Sequence, residues 1–225
     1  LNLQDIALID ASTAYVSCYD EAVLLKVDLD NGLVLDTFST ASFADSDGLP
    51  ETAMMRYHDH HLYITCQLLD RAAWYAPTGP SDLLVFDTDN EQWVDMDPAT
   101  AGIQPISLQG ANPYTDLILE QETGSDTTLL LGCVGNYGMT DGGIERVNLA
   151  TGLSEGFVVT EADLGGDLTR LAQGPGGLFA IVADGAFNTG MKFINGTSGL
   201  VSLIDQGVGY NYSDLIALGD GLLFL

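Results

Sequence analysis

All three histidines of this chain stand together at His58-Asp59-His60-His61, so any imidazole chemistry would have to be done there. Such a run is material for a zinc site or a general base. Zinc needs three or four converging ligands, yet this run crosses an expected turn between two strands, where alternation sends neighbouring side chains apart. The spacing favours a solvated turn. Cys18, Cys66 and Cys133 each follow by three residues the first large apolar residue of a strand-like run, at Tyr15, Tyr63 and Leu130. They hold one repeat position. Equivalent positions in successive repeats lie beyond the roughly 7 Å that a disulfide spans, so the thiols are expected as small buried hydrophobes. Carboxylates are the remaining candidates. Asp5, Asp116, Asp167 and Asp214 recur at the front of expected strands, where acids from several repeats could share a divalent metal and where turn-forming Asp is also common. Asp45-Ser46-Asp47-Gly48 and Asp28-Leu29-Asp30 echo the opening of a calcium loop without its terminal bidentate Glu. No cofactor is expected from these turns, and a calcium ion, were one bound, would fall on Asp45 and Asp47 first.

The acids must be read against the whole charge balance. The 225 residues carry 32 acidic and six basic side chains, for a formal charge of −26. A polyanion would be repelled, and Lys26, Arg56, Arg71, Arg146, Arg170 and Lys192 are too scattered to form a basic stripe, which excludes nucleic acid and disfavours anionic membranes. The acids are spread evenly, which suits solubility in a salty or extracellular setting. Apolar residues make up 46% of the chain, enough for a packed core, and no apolar run reaches the roughly 18 residues of a membrane span. Leu1 stands where an initiator Met would, so a removed leader or a longer parent chain is expected.

The elements that position these groups come from an internal repeat. Val27-Asp28 to Gly32, Phe86-Asp87 to Glu91, Val147-Asn148 to Gly152 and Ile194-Asn195 to Gly199 each place an Asx after an apolar run and a Gly or Glu four residues on. An Asx side chain starts a turn and a glycine closes it. Around each lie four strand-like segments, in units spanning about 3–43, 51–98, 113–162 and 167–206, with a partial fifth over 211–225. Repeats of roughly 45 to 65 residues with four strands are blades of an all-β propeller. A single propeller domain over 1–225 is expected. About four and a half blades are visible, and because a propeller hides its edges by closing its ring, further blades are expected beyond this segment.

The first two units carry a resemblance. Tyr15-Val16-Ser17-Cys18, Leu24-Leu25-Lys26-Val27-Asp28 through Gly32 and Leu33-Val34-Leu35-Asp36-Thr37-Phe38 resemble the YVTN repeat of surface-type propellers, as do Leu62-Tyr63-Ile64-Thr65 and Asp82 to Thr88. The resemblance implies a seven-bladed, exported or surface-associated protein. Its motif is a folding signature, so it supplies no catalytic residue; this chain departs from it in its Cys positions and long insertions.

Loop length then separates the two ends of the blades. The first-to-second and third-to-fourth strand turns are short, as at Asp59-His60, Asp220-Gly221 and Ala150-Thr151-Gly152. The long segments are 68–81, read as a second-to-third strand connection, and 39–51 and 96–115, read as links between blades. In an up-and-down blade these connections leave from one end. That end collects Arg71, Trp74 and Tyr75, then Asn112, Tyr114, Asn136 and Tyr137, then Tyr210 and Tyr212. Aromatic and Arg side chains are the usual anchors of binding surfaces, although Trp74 could instead fold back over a blade edge. Asn195 and Asn211 begin glycosylation sequons. The reading is an exported, non-catalytic scaffold that binds a protein or glycan at the cell surface or in the periplasm, or assembles with other chains. The competing reading is a propeller lactonase or lyase with a divalent metal on the strand-front aspartates.

Overall fold

The Asx device is visible in the computed structural model, which describes residues 1–121, 127–218 and 221–224. Side-chain oxygens of Asp28, Asp87, Asn148 and Asn195 accept the N–H two residues on, at 2.8, 2.9, 3.0 and 3.0 Å. Gly32, Gly152 and Gly199 then donate their N–H back to the Asx carbonyl at 2.8, 2.9 and 2.8 Å. Their φ values of 71°, 66° and 68° lie in the left-handed region, and Glu91 takes the same place at 54°. Each device turns one strand back on its neighbour.

The first sheet runs β1 (Leu3–Leu8), β2 (Thr13–Cys18), β3 (Val23–Asp28), β4 (Val34–Ser39), in that spatial order and antiparallel throughout. The second is built on β5 (Thr52–His58) and β6 (His61–Cys66), followed by a two-rung hairpin of β7 (Leu69–Asp70) and β8 (Ala76–Pro77), then β9 (Asp82–Asp87), β10 (Gln92–Trp93) and β11 (Ile106–Ser107). The third holds β12 (Ile118–Gln121), β13 (Thr127–Cys133), β14 (Gly143–Asn148) and β15 (Leu153–Thr160). After the one-turn helix α1 (Glu161–Leu164) comes a fourth sheet of β16 (Asp167–Gly174), β17 (Gly177–Ala183), β18 (Thr189–Asn195) and β19 (Val201–Gln206). A hairpin of β20 (Leu215–Leu218) and β21 (Gly221–Phe224) ends the description. These are four-stranded antiparallel blades, as the repeat leads one to expect. Asp220 of the last expected turn lies outside the described residues.

One expected connection is corrected. Segment 96–115 was assigned to a link between blades, but Gln92–Trp93 and Ile106–Ser107 both pair with β9, opposite Asp87-Phe86 and Leu83-Asp82 respectively. The fourth strand of this blade is interrupted by an excursion and then resumes. Asp95 holds both ends of it, accepting the N–H groups of Asp97 and Gln104 at 3.2 and 3.0 Å.

The chain gathers into two compact units, Leu1–Leu108 and Gln109–Leu225. In the first, Phe86 is fully buried with Tyr15 at 5.6 Å, Phe38 at 4.8 Å and Trp93 at 4.9 Å between ring centroids. Tilted and edge-on contacts of this kind satisfy the ring quadrupoles. The second unit packs Leu130, Ile144, Leu168, Leu171 and Ile194 into one core. Its central strand β13 is buried on both faces, which is why Leu129-Leu130-Leu131 reads as a continuous apolar run. Cys18, Cys66 and Cys133 are free and fully buried, each at the end of a second strand, and burial pushes all three thiols upward. No helix among the described residues is long and apolar enough to cross a membrane.

Two outcomes follow. Phe86→Ala, which empties the ring cluster, is expected to cost about 3–5 kcal/mol in urea denaturation of the full chain. The three thiols are expected to resist an aromatic disulfide reagent in buffer and to react together once the chain is unfolded.

Candidate functional site

In the second unit, N–H groups of loop residues and of Leu168, beside the irregularity that opens β16, are taken up by buried glutamates. Glu145, on β14, accepts Gln109 N at 2.7 Å and Gly110 N at 2.8 Å. Glu161, at the start of α1, accepts Gly142 N at 3.0 Å and Leu168 N at 2.7 Å. Both side chains are completely buried. The Gly142 bond ties the loop over 134–142 to α1, while Thr160 and Asp163 close a capping box that fixes α1 itself. Burial raises the Glu161 carboxyl to about 7, against the opposing effect of the two N–H donors.

Above this clamp lies a cleft of about 300 Å³ lined by Tyr114, Tyr137, Phe187, Tyr210 and Tyr212 with Asp167 and Arg170. The Tyr114 and Tyr137 rings meet edge to face at 6.3 Å, and the Phe187 and Tyr210 rings are tilted at 38° with centroids 6.2 Å apart. Arg170 lies with its guanidinium carbon 5.5 Å over the Tyr114 ring and donates to Asp214 at 3.3 Å and to the Thr169 carbonyl at 2.7 Å. The Tyr212 hydroxyl donates to Asp205. Burial pushes the Tyr137 hydroxyl upward, with Tyr114 and Asp167 adding to it. Asp167 is 6% exposed; its Oδ2 accepts Gly138 N at 2.7 Å, the Thr140 backbone N–H also favours its charged form, and its Oδ1 is buried without a close hydrogen bond. Burial raises this carboxyl too.

Of the residues singled out in the sequence, Tyr114, Tyr137, Tyr210 and Tyr212 meet in this cleft. Asn136 stands beside it, its backbone and amide N–H groups given to Asp141 at 2.8 and 2.9 Å. Asn112 does not reach a surface: it is buried, with its amide 3.3 Å from the Gly135 carbonyl and its own carbonyl accepting Val134 N. Phe187 was missed. It sits in the loop between β17 and β18 at φ 60°, a lone large apolar residue within Asp184-Gly185-Ala186-Phe187-Asn188, and that isolation was the available signal.

The first unit holds the others. Arg71 is no free anchor, because its guanidinium is spent on the fully buried Glu51 at 3.0 Å, Asp20 at 2.8 Å and the Tyr19 carbonyl at 3.0 Å. Glu51 also accepts Leu69 N at 3.2 Å, fastening the base of the loop. Asp70 caps the short 3-10 turn Arg71–Ala73, and Trp74 follows at φ 59° with 95% of its surface exposed. It does not fold back over a blade edge. Tyr75 is about half exposed beside it. Asp45 and Asp47 are engaged as turn acceptors for Asp47 N and Leu49 N at 3.1 and 2.9 Å. His60 pairs with Asp89 at 3.0 Å, and His61 faces the Asp59 carbonyl at 2.8 Å. Among the described residues, no group of three or more His, Cys, Asp or Glu is placed to hold a metal.

No family model matches the chain, and no curated protein matches it by sequence. Solved structures do match in backbone. A structure titled as two prolyl endopeptidases is similar with a TM-score of 0.57 over 99% of this chain and 32% of that one, at 12% identity. The dihydro-heme d1 dehydrogenase NirN, in complex with DHE, is similar at 0.51 over 100% of this chain and 52% of that one, at 13% identity. A protein of unknown function from Bacteroides caccae is similar at 0.52 over 99% and 69%, at 11% identity. The fold is that of a β-propeller. The chain spans about half the length of the NirN chain and a third of the endopeptidase chain. Identities this low speak of fold alone.

Glu161 makes stability depend on pH. Its folded value of about 7 lies above the ordinary 4.5, so between those values the folded state holds the proton more tightly. Its contribution is therefore most favourable below pH 4.5, declines as pH rises to 7, and is flat beyond. The stability of the parent chain minus that of Glu161→Gln is expected to fall by roughly 3 kcal/mol across that window in denaturation curves. A flat difference would show that Glu161 ionises normally.

Proposed function

We propose that this chain is part of an exported, non-catalytic propeller that binds a small ligand or a side chain of a larger partner in the tyrosine-lined cleft of its second unit. The observation that carries the reading is the meeting of five aromatic rings around one concave space, on loops fastened by buried carboxylates. Binding sites are typically such largely apolar, pre-formed concavities with a few polar groups. The residue-level resemblance to YVTN-repeat surface propellers, with its implied seven blades, and the charge of −26 support a place outside the cytoplasm. A protein or glycan at a cell surface fits both. The exposed Trp74 and Tyr75, on a loop anchored by Arg71 and Glu51, are a further contact point of the same scaffold.

The second reading, a lactonase or lyase with a divalent metal, draws on Asp167 lining the cleft while Asp214 holds Arg170 beside it. Of the other strand-front acids, Asp5 accepts Met55 N and Ile6 N and so is used in the fold.

Calorimetric titration of the full chain with a panel of methyl glycosides and blocked dipeptides tests the binding reading. At least one class is expected to bind, and Tyr137→Ala is expected to weaken it by about tenfold or more without changing the melting temperature. Binding indifferent to Tyr137 and Tyr114 would overturn the reading. Stoichiometric uptake of a divalent ion, lost in Asp167→Asn, would favour the enzyme.

A further inference from the structure

The charges around the cleft do not balance. Arg170 is neutralised by Asp214 and already lies over the Tyr114 ring. Asp205 takes the Tyr212 hydroxyl, and Asp141 takes the Asn136 amide. That leaves Asp167, almost fully buried among the lining residues, its carboxyl met by the backbone N–H groups of Gly138 and Thr140 but, among the described residues, by no salt bridge, and with Oδ1 lacking a close hydrogen bond. A buried carboxylate oxygen left unsatisfied is costly unless a ligand completes it.

The aromatic rings point to what would complete it. Faces of Tyr and Phe carry negative electrostatic potential and attract a desolvated cation, and Arg170 over Tyr114 shows this contact already made inside the cleft. An anion would meet Asp167 and the field of a chain with 32 acids against six bases. A neutral sugar needs several free donors and acceptors, but Nε and Nη1 of Arg170 and the Asn136 amide are already engaged. We infer that the cleft takes the cationic head of an amine ligand, an ammonium or quaternary ammonium group held by the aromatic rings with Asp167 as its counter-ion. This rests on the cleft being the binding site, and it names the chemistry of what binds there.

The test compares choline with 3,3-dimethyl-1-butanol, its uncharged carbon isostere, by calorimetry and by shifts of the tyrosine ring protons in the full chain. Choline is expected to bind at least about tenfold tighter than the isostere, to weaken with added salt, and to lose that preference in Asp167→Asn. Because Asn keeps an acceptor for Gly138 N, the variant is expected to fold; should it not, the comparison of the two probes on the parent chain decides alone. Equal binding of choline and the isostere, weakened alike by Tyr137→Ala, would overturn the cationic assignment and leave the cleft as the site. Tyrosine-dependent binding of a methyl glycoside or blocked dipeptide with no response to choline would do the same. Silence of the tyrosine rings to every probe would overturn both.

Discussion

The arrangement of the loops depends on carboxylates buried without exposure that accept backbone N–H groups. Glu51 and Glu161 stand where the chain leaves one strand for the next, and Glu145 reaches from within β14 to the incoming segment at Gln109 and Gly110. Burying a charge costs several kcal/mol unless hydrogen bonds replace the lost water, and N–H donors to an ionised oxygen are about twice as strong as neutral pairs. Glu145 and Glu161 each answer that cost with two backbone donors, and Glu51 with one donor and an arginine. The close approach leaves no room at the donors. A Cβ on Gly142 would stand 1.9 Å from the Cys133 carbonyl oxygen, and one on Gly110 would stand 2.7 Å from the Cys133 sulfur. Acid, glycine and thiol therefore form one packed unit, and the buried cysteine is part of what sets the loop positions.

What could be read in advance was what is local. The Asx turn is complete within five residues, so its recurrence shows in the letters alone, and the blade order follows from it. The grouping of Tyr114, Tyr137, Tyr210 and Tyr212 was legible for a related reason: which strands a loop connects determines the end at which it emerges. Arg71 was misread because its partners Glu51 and Asp20 lie 20 and 51 residues away, and residue type does not reveal a distant ion pair. Asn112 was misread because a residue in a loop can still be buried when the loop is pressed against its own sheet. The clamping glutamates were invisible for the same reason, since a Glu among 32 acids carries no mark of burial.

The acidity itself divides into two populations. Partly exposed aspartates at turns, such as Asp87 and Asp184, are held below their ordinary range by the backbone N–H groups and Asn amides they accept. Buried carboxyls such as Glu161 and Asp167, and the part-buried Asp82, are held above it by loss of water. With so few cations available, the backbone does much of the work of balancing negative charge. Lys26, Arg71, Arg146 and Arg170 are each already committed to a carboxylate.

The interrupted strand has a mechanical consequence of its own. Because Gln92–Trp93 and Ile106–Ser107 rest on the same partner strand, each finds its register without reference to the other. Beyond Val94, whose N–H still reaches the Val85 carbonyl, the excursion hangs from two fixed points pinned by Asp95. Its length and composition are thereby uncoupled from the blade, which makes this edge a place where the scaffold can take on new sequence while its geometry stays the same.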